Sequence, residues 1–490
     1  MAIVSTITDL LQGGLGNLAA YLAAHVLLCL LPAFFIAGGL SALVPREAVT
    51  RYLGPNAPKY ISYPAAALGG FVLAVCSCTI MPIFAGIYKK GAGLGPAITF
   101  LFVGPAINIL ALSYTGVALG MDIAVARLVL SIVFGIGIGL IMALLFRERD
   151  RADDDNPFAG SQRMEGRVWL FLLLLLALLV VGTLQVELLT GSLFEIDLPM
   201  AGLDRLQAGL DRLVPYDASQ GQEGVSVQGL VLIAALIVIA ITGWLGLNKV
   251  DEGYDAWTWI TLGLVAVVLV IASLGVTVDA NGALLLVRGK TLGVILVAAG
   301  LLWTGTKLFE DYELQDWLWE SWRFVKQIFP LLIVGVFSVG VLRGLIRPEW
   351  IQTLAGRNTV LANLVGVLFG VFMYFPTLVE VPIANMFLGL GMHRGPLLAY
   401  LMSDPELSLQ SILITSKVIG KRRAWVYVAW VTLFSTLAGL LYGAWVNGTA
   451  VWQLALYLGL GIAALGIGLA LFGKRRQATV AVVAQTSHGD

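Results

Sequence analysis

Charge is what this chain has least of. Only 12% of its 490 residues are charged, and 30 basic side chains balance 30 acidic ones. A soluble domain carries about 25% charged residues, so a soluble globular class is excluded. The zero net charge leaves no electrostatic footprint for nucleic acid. The three cysteines (Cys29, Cys76, Cys78) and three histidines (His25, His393, His488) cannot build a disulfide framework or a zinc-finger pattern. No G-x-x-x-x-G-K-[ST] phosphate loop occurs, so any uphill transport would need an ion gradient or a separate ATPase. No cofactor is implied. The opening "MAIVSTITDLLQGGLGNLAA" lacks the basic region of a cleaved signal peptide, and its apolar segment is expected to remain in the mature protein.

Hydrocarbon fills the space that charge leaves. Hydrophobic residues make up 59% of the chain, and the mean hydropathy is +0.89. Apolar runs of about 20 residues, the length a helix needs to cross a bilayer, recur throughout. The expected fold is an all-α polytopic membrane protein with about 11–13 hydrophobic segments. Full-length segments fall near 20–43, 95–115, 123–146, 168–189, 226–247, 256–277, 291–309, 324–346, 396–416, 425–446 and 452–473. Two more, 62–88 and 360–388, are interrupted, the first by Cys-Ser-Cys and Pro82, the second by Pro376, Glu380 and Pro382. Such breaks are tolerated at membrane depth only where protein or a water-filled cavity satisfies the freed groups.

Lysine and arginine in short loops set the orientation. The 147–167 loop holds five Arg, and 416–425 and 473–476 are also basic, so all three are expected inside. The 190–225 loop holds six acidic and two basic residues and is expected outside. These assignments conflict if every apolar stretch crosses, because 116–122 and 417–424 would then be separated by an even number of crossings. The conflict disappears if 62–88 and 360–388 are re-entrant hairpins with tips near Cys76–Cys78 and Pro376–Glu380. Each leg of about 12 residues reaches roughly 18 Å, to the bilayer middle. Arg343, Arg347 and Arg357 then fall outside, against the rule, and two kinked spanning helices are the alternative.

The chain also repeats itself at an offset of 300. "PIFAGIYKKGAGLGPAITFLFVGPAIN" (82–108) aligns with "PIANMFLGLGMHRGPLLAYLMSDPELS" (382–408). Pro82, Gly91, Gly95-Pro96, Leu101 and Pro105 match Pro382, Gly391, Gly395-Pro396, Leu401 and Pro405, and Leu68 and Gly70 match Leu368 and Gly370. Pro32 and Pro330 each open the apolar body of a preceding helix. The charge rule puts the loops after the two copies on opposite sides, which makes the repeats inverted, an architecture of secondary transporters. The expected division is 1–146 first repeat, 147–319 inserted helices with an external loop, 320–446 second repeat, 447–473 a final transmembrane helix and 474–490 a cytoplasmic tail. Within the external loop, Leu203, Leu206, Leu210 and Leu213 share one face of a short interfacial helix.

Cys76 and Cys78 carry the strongest chemical signal. Thiolates favour soft ions, a preference that extends to trivalent arsenic. One residue apart on a regular helix the two thiols would diverge by about 200°; on broken backbone they can converge on one atom. Free cysteines also pack as small hydrophobes, and a redox dithiol is a third reading, although its usual spacing is Cys-x-x-Cys. His25 and Cys29 share a helix face, so Cys29 is either a third soft ligand or simple packing. Glu380, Asp404 and Glu406 are ionisable groups at membrane depth, which are costly and default to functional roles. They stand in the second copy where the first has Ile80, Gly104 and Ala106. Proton coupling is expected from Glu380 first, as nearest the hairpin tip, then Glu406 and Asp404; solvation at an interface is the alternative for each. Asn108, Asn363, Asn385 and Ser408 are candidate polar linings, though Asn also joins helices to one another.

With "CSCTIMPIFAGIYKKGAGLGPAITFLFVGPAIN" in view, the chain resembles the organoarsenical efflux permease family of bacterial predicted permeases. The resemblance covers about 20–146 and 324–446 and rests on Cys-x-Cys…Pro, Gly-x-x-x-Gly-Pro, "GPAIN" and "DPELS". It implies a membrane permease, not an enzyme, in the bacterial plasma (inner) membrane, conferring arsenic resistance by efflux of trivalent organoarsenicals such as methylarsenite. It implies binding by Cys76 and Cys78; Pro82, Gly104, Pro105, Asn108 and Ser408 are the further candidates for the same substrate site. The 147–319 insertion and the tail after 446 depart from the family's compact pattern. A redox protein using the Cys-x-Cys pair, or a permease for another sulfur- or metal-containing solute, are the alternatives. The implied partners are a small-molecule substrate and the bilayer, with a homo-oligomer or accessory subunit left open.

Overall fold

Glycine turns punctuate this chain more than proline does: Pro82 and Pro382, expected to interrupt 62–88 and 360–388, lie inside continuous helices, as do Pro64 and Pro330. The computed structural model describes residues 2–450 apart from 25, 56, 74–76, 108, 147–164, 185–186, 200–201, 215–223, 280–281, 344–347 and 373–376, together with 452–454, 456 and 459. α1 (Ala2–Ala24) leads to a π-helical turn at Val26–Leu30 and then to α2 (Leu31–Ala42), where Pro32 sits in the first turn. There its missing N–H costs nothing. The chain bends by 53° across this junction. It continues through α3 (Arg46–Leu53), α4 (Lys59–Leu73), α5 (Ser77–Lys89), α6 (Leu94–Ala106), α7 (Ile109–Ala118) and α8 (Met121–Leu145).

The expected insertion follows. α9 (Gly166–Thr183), α12 (Val227–Gly246), α13 (Ala256–Ser273) and α14 (Gly289–Leu308) are its four long helices, with the short α10 (Glu187–Thr190) and α11 (Leu203–Leu213) between the first two. α11 is the amphipathic helix foreseen in the loop, and none of its residues is buried. Unforeseen is a small antiparallel sheet of β1 (Ser192–Leu198), β2 (Gly275–Asp279) and β3 (Gly282–Arg288), with β3 in the middle.

The expected second repeat, 320–446, falls on α15 (Asp311–Arg343), which begins before it, and on α16 (Pro348–Ala355), α17 (Val360–Phe372), α18 (Thr377–Gly389), α19 (Arg394–Leu407), α20 (Leu409–Ile419) and α21 (Lys421–Val446). Helices α17–α21 reproduce α4–α8 at an offset of 300, to within one residue at either end of each element. The turns repeat as well. Gly91 and Gly391 take φ 92° and 91°, and Gly120 and Gly420 take 116° and 89°, values that a side chain disfavours. So do the close crossings: a Cβ on Gly139 would lie 2.6 Å from the Gly95 carbonyl, and one on Gly439 would lie 2.6 Å from that of Gly395.

Helix directions follow from these contacts. Gly70 packs on Gly104 and Tyr63 on Gly95, so α4 and α6 run parallel; Gly139 on Gly95 and Thr99 on Gly135 make α8 antiparallel to α6. The Gly93 N–H donates to the Leu53 carbonyl at 2.7 Å, and the His393 N–H donates to that of Ala355 at 2.9 Å. Each interrupted segment, 62–88 and 360–388, therefore returns to the end of the bundle from which it entered. At one end Lys89 pairs with Glu320, Arg423 donates to the Tyr88 hydroxyl at 2.7 Å, and its guanidinium lies over Phe146. At the other, Asp122 accepts from Arg394 at 2.9 Å and from the Tyr442 hydroxyl at 2.7 Å. α8 and α21, equivalent elements of the two repeats, are thus antiparallel neighbours. Midway, the equivalent residues Phe134 and Phe434 meet edge to face, 4.9 Å between centroids.

Among the described residues seven helices are long and apolar enough to cross a membrane, or nine if the bent pairs α1–α2 and α6–α7 each count as one span. Three segments expected to be continuous are not, the first being 20–43 with its 53° bend between α1 and α2. The 95–115 stretch bends by 44° between α6 and α7, and the 396–416 stretch breaks at Ser408, whose hydroxyl caps α20. Pro105 and Pro405 lie in the last turns before these breaks, where each removes a helical hydrogen bond. The expected helix at 452–473 and the tail at 474–490 lie outside the described residues, apart from 452–454, 456 and 459.

This geometry predicts membrane sidedness. Single cysteines at 59 and 89 should react with an impermeant thiol reagent from the cytoplasmic side only, and those at 357 and 393 from the external side only. Opposite sides for 59 and 89 would mean that 62–88 crosses.

Candidate functional site

A helix that breaks inside a bundle exposes backbone groups that need polar company. Around the break at Ser408 the chain supplies it: Ser403, Asp404, Glu406, Ser408, Gln410 and Ser411 are each at most 1% exposed. The Ser408 hydroxyl donates to that of Ser411 at 2.7 Å. Asp404 lies where α17 crosses α19, its backbone N–H against Gly370.

Glu380 sits in the first turn of α18 and is fully buried. Its partner is Arg127 of α8, also fully buried, whose Nη2 lies 3.0 Å from one carboxylate oxygen and 3.1 Å from the other. The guanidinium is held further by the Ala106 carbonyl, which accepts from Nε at 2.9 Å, and by the Thr115 hydroxyl at 3.5 Å. The pair joins the broken segment of the second repeat to the last long helix of the first. Hydropathy passes over Arg127 because the 123–146 segment is apolar as a whole. The available signal is a single arginine five residues inside that segment, since a charge at membrane depth needs a partner.

Glu406 ends α19 and accepts from the Tyr427 hydroxyl of α21 at 2.8 Å through one oxygen; the other has no partner among the described residues. At the repeat offset, Tyr427 stands where Arg127 does, and Glu406 stands where Ala106 does. Equivalent positions on α8 and α21 therefore reach the equivalent ends of α6 and α19. In one copy a guanidinium takes a backbone carbonyl, and in the other a phenol donates to a carboxylate. Gln410, one turn beyond Glu406 across the break, has neither its amide oxygen nor its nitrogen partnered among the described residues.

Cys76, Asn108 and His25 lie outside the described residues, and so does the side chain of Cys78. α5 nevertheless begins at Ser77, inside the Cys-Ser-Cys motif, and Thr79 is buried. The third thiol comes to it: Cys29, in the π-helical turn, has its sulfur 2.7 Å from the Thr79 hydroxyl. Pro82 is buried on the same helix, and Ile80 packs on Gly104, which with Pro105 ends α6. The Met81 sulfur is 3.7 Å from the Thr415 hydroxyl of α20. α5 thus packs on α20 of the other repeat, as α18 packs on α7. The structure places Pro82, Gly104 and Pro105 around the helix of the thiol motif, and Glu380 against Arg127. Asn363 is buried and bonds to Asn358 and the Thr359 carbonyl, holding its own helix end. Among the described residues no three His, Cys, Asp or Glu side chains converge as a metal site.

A family model described as predicted permease matches residues 13–303 and 299–444. The chain is similar to the UPF0718 protein MJ0584 of Methanocaldococcus jannaschii, 34% identical across 90% of this chain and 98% of that one. That coverage is too extensive to leave out the inserted helices, so the insertion is shared with this relative. The UPF0718 proteins YcgR of Bacillus subtilis and YraQ of Escherichia coli are each 26% identical, over 25% and 24% of this chain and 42% and 34% of their own. No solved structure matches significantly.

The buried pair makes a direct prediction. Removing one partner of such a pair costs about 3–5 kcal/mol, whereas replacing both by apolar residues is often neutral. Arg127→Met should sharply lower the thermal midpoint of the detergent-solubilised protein, and adding Glu380→Met should restore most of the loss.

Proposed function

The chain belongs to the family of predicted permeases, and from that premise we propose that it exports trivalent organoarsenicals, or a related soft thiol-reactive solute, driven by a proton gradient. It is an integral membrane protein. On this reading its site is the bacterial inner membrane, and its work is transport and not catalysis.

The observation that carries the substrate class is the start of α5 at Ser77, between two cysteines in sequence and beside the thiol of Cys29. Soft ligands gathered at a helix break suit a thiophilic centre. A methylarsenite molecule, with two hydroxyls on arsenic, exchanges both for sulfur at Cys76 and Cys78. Two As–S bonds form, two As–O and two S–H bonds break, and two waters leave. The reverse step with water releases the solute on the other side. Pro82, Gly104, Pro105, Asn108 and Ser408 would line the cavity.

Transport needs access from either side in turn. The antiparallel contact of α8 with α21, and the meeting of Phe134 with Phe434, support inverted repeats related by a two-fold axis in the membrane plane. Repeats of this kind alternate by rocking around a fixed central site. The division we adopt is 1–146, 147–319, 320–446 and 447–473, with 474–490 as a cytoplasmic tail. A neutral arsenical gives the membrane potential nothing to act on, so uphill export needs an exchanged ion. The buried carboxylates Glu380, Asp404 and Glu406 are the groups available to carry it.

Growth protection tests the reading. The intact chain should protect an arsenic-sensitive host against methylarsenite, and Cys76→Ser or Cys78→Ser should each remove most of that protection with membrane abundance near normal. Full protection by the double serine variant would rule out thiol coordination.

A further inference from the structure

The three buried carboxylates are not equivalent, and their surroundings divide the labour among them. We infer that Glu406, and not Glu380, takes up and releases the coupling proton, with Tyr427 as its positioning partner, while Arg127 holds Glu380 as a fixed countercharge. This assignment rests on the proton-driven reading above and narrows it to one residue.

The argument is one of partners. Glu380 has a guanidinium against both of its oxygens. A proton arriving there would have to displace a buried cation whose other bonds are to neutral groups. Nη2 meets Glu380, Nε a backbone carbonyl and Nη1 a threonine hydroxyl. Glu406 has no cation against it among the described residues. Its partner is a hydroxyl, which can donate to either a carboxylate or a carboxylic acid, so the Tyr427 bond survives the change of state. The second oxygen, Oε1, is buried and without a hydrogen-bond partner among the described residues; the Oε1 of Glu380 also lacks a hydrogen bond but lies 3.0 Å from the Arg127 guanidinium, so what sets Glu406 apart is the absence of a cation.

The elements around Glu406 carry little that would interfere. α6 and α17 contribute no titratable group, and α18 contributes Glu380, already paired. α8 contributes Arg127, likewise paired, with Asp122 at its far end bonded to Arg394. α20 offers Gln410 next to the break and Lys417, which is exposed. α21 offers Tyr427, with its lysine and arginines 421–423 at the bundle end. On α19 itself, Asp404 is two residues back, about 200° around the helix. Gln410, one turn away across the break, is placed to relay a proton or hold a water. A metal cation is the poorer occupant, because hard cations take about six or more oxygens.

Infrared spectroscopy of the purified, lipid-reconstituted protein reads this directly. The wild type should show a buried carboxylic-acid C=O band whose intensity changes with pH. The band should vanish in Glu406→Gln and persist in Asp404→Asn and in the double variant Arg127→Met with Glu380→Met. Persistence in Glu406→Gln, loss in either of the others, or no titrating band in wild type would overturn the assignment. In proteoliposomes an imposed pH gradient should drive methylarsenite accumulation by wild type far more, on the order of tenfold, than by Glu406→Gln. A sodium gradient that drives it instead would also overturn the assignment. If neither gradient moves methylarsenite in wild type, the permease reading fails, and the infrared result still decides the place of the proton.

Discussion

A guanidinium and a carboxylate that enter a membrane-embedded bundle must find each other. Both side chains are buried, and a buried charge left unpaired is costly. Arg127 and Glu380 solve this across 253 residues of chain, and much of the architecture follows from their meeting. α18 is drawn against α7 and α8, so the broken segment of one repeat is seated in the other. The reciprocal contact of α5 with α20, Met81 against Thr415, seats the broken segment of the first copy in the second. Each interrupted segment has its two ends brought together, through the Gly93 N–H to Leu53 and through the His393 N–H to Ala355.

The same frame explains how a duplicated fold becomes asymmetric. The backbone keeps its copy at the turns and glycine crossings, with matching φ at Gly91 and Gly391 and equal approaches at Gly139 and Gly439. Side chains at equivalent positions have diverged in chemistry. Cys76 and Cys78 answer to Pro376 and Leu378, Ile80 to Glu380, Ala106 to Glu406, and Arg127 to Tyr427. Soft sulfur is gathered in one copy and hard oxygen in the other. On the proposed reading, a carrier that exchanges a soft solute for a proton would need both kinds of ligand within one body, which two repeats sharing a scaffold would provide.

Much of this is legible in the sequence. The offset of 300 is carried by prolines and glycines, which are readable because each imposes a backbone consequence. The expectation of re-entrant hairpins comes from the parity of charged loops, and the four helices of 147–319 come from hydropathy alone. What hydropathy cannot register is polarity that is paired. Arg127 is one charge in an apolar run, and its partner lies in the other half of the chain. The break at Ser408 hides inside a stretch apolar enough to cross, because a capping serine changes composition very little. The small sheet escapes for a related reason. "GVTVD" and "ALLLVR" are β-branched or aliphatic runs at the edges of long apolar segments, where a short strand and a helix end look alike. Of the expected site, Gly104, Pro105 and Ser408 fall at buried breaks and Pro82 lies buried inside α5, while Cys76 and Asn108 lie outside the described residues.

The central claim is that this chain moves a soft, thiol-reactive solute through a site at the helix break. The most direct measurement is uptake of methylarsenite into everted membrane vesicles from cells that express the intact chain, energised by respiration. The account predicts accumulation well above vesicles lacking the chain, abolished by a protonophore and blocked by a competing trivalent phenylarsenical. Uptake no greater than in vesicles without the chain would contradict it.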